Sequence, residues 1–116
     1  VSAAVVRNVT RDSVLARAAG TATSPWARLR GLIGYAALPP GGGLIFPGER
    51  GVHTLFMRFP IDLVFYGRGM EVLDVVEALR PWRFSPYRWR AAGVIELPAG
   101  AARAAATRPG DVLSVG

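Results

Sequence analysis

Apolar positions along this chain fall in short bursts broken by glycine, proline and small polar residues, and that rhythm predicts strands. Residues 3–9 (AAVVRNV) read as a first strand and 13–19 (SVLARAA) as a second or its continuation, with a polar turn at Thr10–Asp12 between them. Leu44–Phe46 is a short strand closed by Pro47-Gly48, and residues 52–56, 61–66 and 70–79 are three more. Gly67-Arg68-Gly69 supplies a hairpin connection between the last two, since glycine tolerates positive φ. Residues 94–97 form a further strand, ended by Pro98. The last, 112–115, is entered through Arg108-Pro109-Gly110-Asp111, which sets proline and glycine at the central positions of a type II turn.

Helical signals are few. Ser24 can cap a helix with Pro25 at its first position, and Trp26, Leu29, Leu32 and Ile33 then share one face until Gly34. This predicts one short helix near residues 24–34, and AARAAA at 101–106 predicts one further helical turn. LPPGGG at 38–43 is expected to lie outside regular structure. Many short strands and one convincing helix give a mainly β fold. The expectation is a single domain over residues 1–116, built as a barrel or a jelly-roll-like sandwich.

A chain of 116 residues is long enough to bury about two-thirds of its unfolded surface, so no staple is required. None is available, because there is no cysteine, and thiolate metal sites and cysteine nucleophiles go with it. No apolar run approaches the ~18 residues of a membrane helix. The start carries no charged-then-apolar signal segment. Nothing in the sequence points to a cofactor, and oligomeric state has no signature in it. The net charge is +6, from fourteen arginines and no lysine against eight acids. The arginines are spread along the chain, which favours a compositional bias over a dedicated basic surface.

The central stretch HTLFMRFPIDLVFYGRGM (53–70) threads His53, Arg58 and Asp62 through an apolar run. Pro60 forbids a helix there, so Arg58 and Asp62 are not a helical pair. In a strand they share one side, with Ile61, Leu63 and Phe65 on the other. One side is then expected to pack the core and the other to offer polar groups to a cleft. Asp62 needs a partner, because a buried lone carboxylate is costly. Arg30, Arg58 and backbone N–H groups are the choices, and Arg30–Asp62 is the expected structural ion pair. His53 is the lone histidine, and without cysteine it cannot assemble a usual metal site, so no metal ligands are assigned. No Gly-x-Ser-x-Gly nucleophile pattern and no Gly-Lys-Ser/Thr phosphate loop occurs.

Residues 80–90 (RPWRFSPYRWR) place four arginines and four aromatics in one proline-broken connection. Trp82, Arg83, Tyr87 and Trp89 can stack on rings and read anions there. Alternatively the aromatics cover the barrel while the guanidinium groups face water.

These motifs together resemble the DUF192 family. The resemblance rests on RLRGLIGYAAL, GGGLIF, HTLFMRFPIDLVFYGRGMEVLDV, LRPWR and VIELPAGAARAAATRPGDVLSV in that order, from about Val5 to Val115. His53-Thr54 ahead of the central motif marks a variant branch. The resemblance implies a compact, mostly β fold with a small helix and no assigned activity.

The leading expectation is a non-enzymatic module that binds a small anionic or ring-bearing ligand, or a protein segment. Its cleft lies beside the central strand and uses His53, Arg58, Asp62, Trp82, Arg83, Tyr87 and Trp89. One alternative is nucleic-acid or polyanion binding by an arginine-rich surface. Another is an enzyme in which Asp62 and His53 perform acid–base chemistry.

Overall fold

The computed structural model describes residues 3–22 and 38–116. The helix expected at 24–34, and Arg30 with it, lie outside the described residues. The elements are β1 (Ala4–Asn8), β2 (Ser13–Thr21), β3 (Gly42–Pro47), β4 (Ile61–Tyr66), β5 (Val72–Leu79), β6 (Gly93–Pro98), α1 (Ala101–Ala104) and β7 (Leu113–Val115). The strands form one sheet in the order β5-β4-β6-β3-β2-β1-β7. Its two edges then meet: Glu71 bridges Val112, the Val72 amide donates to the Asp111 carbonyl at 2.7 Å and the Leu113 amide to the Met70 carbonyl at 2.9 Å. The sheet is therefore a curled half-barrel, the barrel alternative of the sequence expectation.

Strand alternation fills both sides of this sheet. Val6, Leu15, Ile45, Val64, Val72, Ile95 and Leu113, one from each strand, form the inner cluster with Ala102 and Ala105. Ile61, Leu63, Phe65 and Val94 point the other way and are covered by Met57, Phe59, Leu38 and Ala91. All six residues of β4 are consequently buried. This corrects the expected cleft beside the central strand: both faces of β4 are packed, as suits a near-continuous apolar run.

Three local expectations are revised. Gly42 and Gly43 belong to β3, where they pair in parallel with Ala18 and Ala19 of β2. A side chain at Gly43 would press on Leu97 and Ala16, so bare backbone is what lets these strands pack. Residues 52–56 do not join the sheet; they pair outside it, with His53 bridging Phe84. In the hairpin after β4 the positive φ sits on Met70 (63°) and not on either glycine. The turn before β7 is as expected, with Gly110 at φ 93° and the Asp111 amide donating to the Arg108 carbonyl at 3.1 Å.

Candidate functional site: an arginine-aromatic ribbon

Asp62 alternates with Val64 and Tyr66, so it faces the inner side of the sheet, where its carboxylate is fully buried. Oδ1 accepts from the Ala78 amide at 2.8 Å, and Oδ2 accepts from the Gly100 and Ala102 amides, both at 3.0 Å. The register between β4 and β5 shifts at this point, from Ile61↔Leu79 to Leu63↔Val76, and Ala78 takes a positive φ of 51°. Asp62 thus holds a β-bulge on one side and the start of α1 on the other. Of the three partners open to it from sequence, the backbone N–H groups are the ones observed among the described residues. Its assignment to a ligand site is corrected by this burial. For the same reason His53, which is exposed, shares no accessible position with it.

Of the other predicted residues, His53, Trp82 and Arg83 lie on two segments that pair. Residues 50–54 run antiparallel to 82–88: Arg88 N donates to Arg50 O (2.7 Å), Ser85 N to Val52 O (2.9 Å), Thr54 N to Arg83 O (2.8 Å) and Trp82 N to Thr54 O (2.9 Å). The clasp is Thr54, whose side chain is fully buried. Its hydroxyl donates to the Arg80 carbonyl at 2.6 Å and accepts from the Arg83 amide at 2.9 Å. Beyond the clasp, Met57 and Phe59 plug into the outer cluster and leave Phe56 and Arg58 facing water. Each plug is worth roughly 1.5–3 kcal/mol of apolar burial. The 80–90 connection is thus a stitched ribbon and not a free loop.

Its aromatic groups do not cover the barrel. Phe56 is 58% exposed, Trp82 55%, Phe84 73%, Tyr87 64% and Trp89 67%. The Phe56 and Trp82 rings meet at a tilt of 58° with 4.7 Å between centroids, and the Phe84 ring meets the His53 ring edge-on at 6.2 Å. Both members of the first pair have left-handed backbone, with φ of 68° and 62°. That conformation costs a bulky residue about 1 kcal/mol or more, and such strain gathers at functional sites. On the far part of the ribbon, Leu73, Tyr87, Arg88, Trp89 and Arg90 line an open groove of about 380 Å³. Arg88 is fixed there by Asp74, with Nη2 at 2.7 Å and Nε at 2.8 Å from the same oxygen. Arg90 lies 4.9 Å from the Trp89 ring centre.

The charge follows the ribbon. Residues 50–58 and 80–90 hold Arg50, Arg58, Arg80, Arg83, Arg88 and Arg90 and no acid. One of the six, Arg88, is paired with Asp74 from outside the two segments, and Glu49 directly precedes Arg50. Among the described residues only Arg88 of the six makes an ion pair. Arg50, Thr54, Phe56, Phe84 and Arg90 were not among the predicted site residues. The acid-free composition of the two segments is the signal that marks them together.

Elsewhere the polar groups serve the fold. Asp111 is buried at the barrel end and accepts from Asn8 Nδ2 (2.9 Å), Arg11 Nε (3.1 Å) and the Arg108 amide (3.0 Å). Burial pushes its carboxyl up, but the bonds from Asn8, Arg11 and Arg108 and the Arg11 charge outweigh it and hold the group below the usual carboxylate range. Burial pushes the Tyr66 phenol up. Among the described residues no three of His, Asp and Glu gather as metal ligands would, and no helix is long and apolar enough to cross a membrane.

The sheet and its single short helix among the described residues define a small β half-barrel protein. The chain belongs to the DUF192 family, described as "Uncharacterized ACR", whose model matches residues 6–115. It is 40% identical over 62 residues to a UPF0127 protein of Pyrococcus furiosus, covering 53% of each chain. It is 32% identical over 102 residues to one of Thermococcus sibiricus, covering 80% of this chain and 62% of that one. The match thus spans only about half to three-fifths of these relatives. A crystal structure of a protein of unknown function from Novosphingobium aromaticivorans aligns with a TM-score of 0.79 at 21% identity, over 97% of this chain and 83% of that one. A "putative transcription regulator" from Sinorhizobium meliloti aligns with a TM-score of 0.78 at 24% identity, over 99% and 96%. These two likenesses show the fold.

Proposed function

We propose that the protein is a binding module whose recognition face is the ribbon of residues 50–58 and 80–90. The partner is anionic and offers rings or apolar surface. The observation that carries this reading is the coincidence of six arginines, with no acid within the two segments, and five exposed aromatic rings on one stitched ribbon. A solvated arginine face would explain the charge without the rings, and scattered surface aromatics would explain the rings without the charge. His53, Arg58, Trp82, Arg83, Tyr87 and Trp89 keep their place as contacts. Asp62 moves to the scaffold, which removes the base that acid–base catalysis with His53 would use.

Heparin chromatography tests the reading. A variant with Arg80, Arg83 and Arg90 changed to Gln should elute at clearly lower salt than the parent. A variant with Arg7, Arg17 and Arg68 changed to Gln loses the same charge elsewhere and should elute later than the ribbon variant. Equal shifts in the two would show that net charge alone governs retention, and the recognition face would fall.

A further inference from the structure

We infer that the partner of this face is a single-stranded nucleic acid. The inference rests on the recognition-face reading and names its ligand class. Five of the six ribbon arginines make no ion pair among the described residues, more than one small anion can engage, and they suit a chain of phosphates. The exposed apolar area is aromatic. Val52 and Leu55 are half-buried and Met57 is buried, so the ribbon presents aromatic rings beside arginines and not an aliphatic tip that would enter lipid. Ring faces gain most from unpaired bases, because a duplex keeps its own base faces stacked. The groove beside Tyr87 and Trp89 lies at the small end of ligand pockets, which run about 300–1,000 Å³. Arg90, which makes no ion pair among the described residues, stands at its wall to meet a phosphate.

The probes are fluorescein-labelled oligothymidylate, a duplex of equal length, and phosphatidylserine–phosphatidylcholine vesicles, read by anisotropy and co-sedimentation. Oligothymidylate should bind and quench tryptophan emission. Its affinity should fall with salt on a log–log slope no steeper than about −4, since each of six arginines contributes about 0.7 on a single strand. Trp89→Ala and Phe84→Ala should each weaken binding about 5- to 100-fold, as expected for a lost stacking partner. Both side chains are exposed, so the variants should fold. Duplex bound as tightly as the single strand, vesicles bound in place of oligothymidylate, or undiminished affinity in both variants would each overturn the inference. If oligothymidylate fails while heparin retention still depends on the ribbon arginines, the ligand class is wrong and the recognition face stands. If neither depends on the ribbon, both are wrong.

Discussion

The amide of Ala102 donates to Oδ2 of Asp62 across 3.0 Å, joining residues forty apart in sequence at the inner end of the barrel. With the Ala78 and Gly100 amides this makes Asp62 a three-armed anchor for β4, the β5 bulge and α1. Hydrogen bonds to a charged acceptor are worth about 1.5–3 kcal/mol each, and amides left unpaired in the interior add a penalty. Asp62→Ala should therefore destabilise the protein by roughly 3 kcal/mol or more in urea unfolding. A loss below about 1 kcal/mol would show that water replaces the carboxylate at little cost.

Thr54 plays the same part for the ribbon. Thr54→Val keeps the shape but removes the hydroxyl that ties Arg80 and Arg83. The expected cost is about 1–3 kcal/mol. Hydrogen exchange should accelerate most at the Trp82, Arg83 and Ser85 amides, and Thr54→Ser should restore protection. Uniform acceleration through the barrel would contradict a local clasp.

The pH dependence has two limbs. Asp111 has a folded pKa below its unfolded value of about 3.9, so the unfolded chain takes up the proton first as pH falls. Its contribution is complete above the unfolded value and drains as pH drops through the lowered folded one. Tyr66, raised in the folded state, loses its proton first in the unfolded chain, so stability declines as pH climbs past about 10. Asp111→Asn should flatten the acid limb and Tyr66→Phe the alkaline one in thermal melts across pH. An unchanged slope in either variant would reassign that limb.

Gly93 pairs with Tyr66 across β6 and β4, and a Cβ on it would overlap the Tyr66 phenol. Gly93→Ala should cost about 1–3 kcal/mol through overpacking. Combined with Tyr66→Leu, the loss should be less than the sum of the single changes, because the clash disappears with the ring. Strict additivity would mean the strand had already shifted to make room.

Much of the fold was legible because strand periodicity and turn chemistry act locally. Gly110 after Pro109, the alternation of Ile61, Leu63 and Phe65, and the helical turn after Gly100 all follow from near neighbours. The site was legible in part. Trp82, Arg83, Tyr87 and Trp89 announce themselves in one segment, but Thr54 looks like any small polar residue until Arg80 and Arg83 are brought against it. Arg50 and Phe56 join the same face only through long-range pairing. Asp62 misleads for the opposite reason. A carboxylate in an apolar run marks a strong requirement, and whether ligand or backbone meets it depends on an amide forty residues away. The segments 50–58 and 80–90 each look moderately basic, and only their pairing brings six arginines onto one ribbon.

The recognition face is tested most directly by amide and indole chemical shifts during titration with a short heparin oligosaccharide. The largest changes should fall within residues 50–58 and 80–90, with the Trp82 and Trp89 indole N–H signals among them. Changes centred instead on Arg7, Arg17 and Arg68, or distributed evenly over the exposed arginines, would contradict the account.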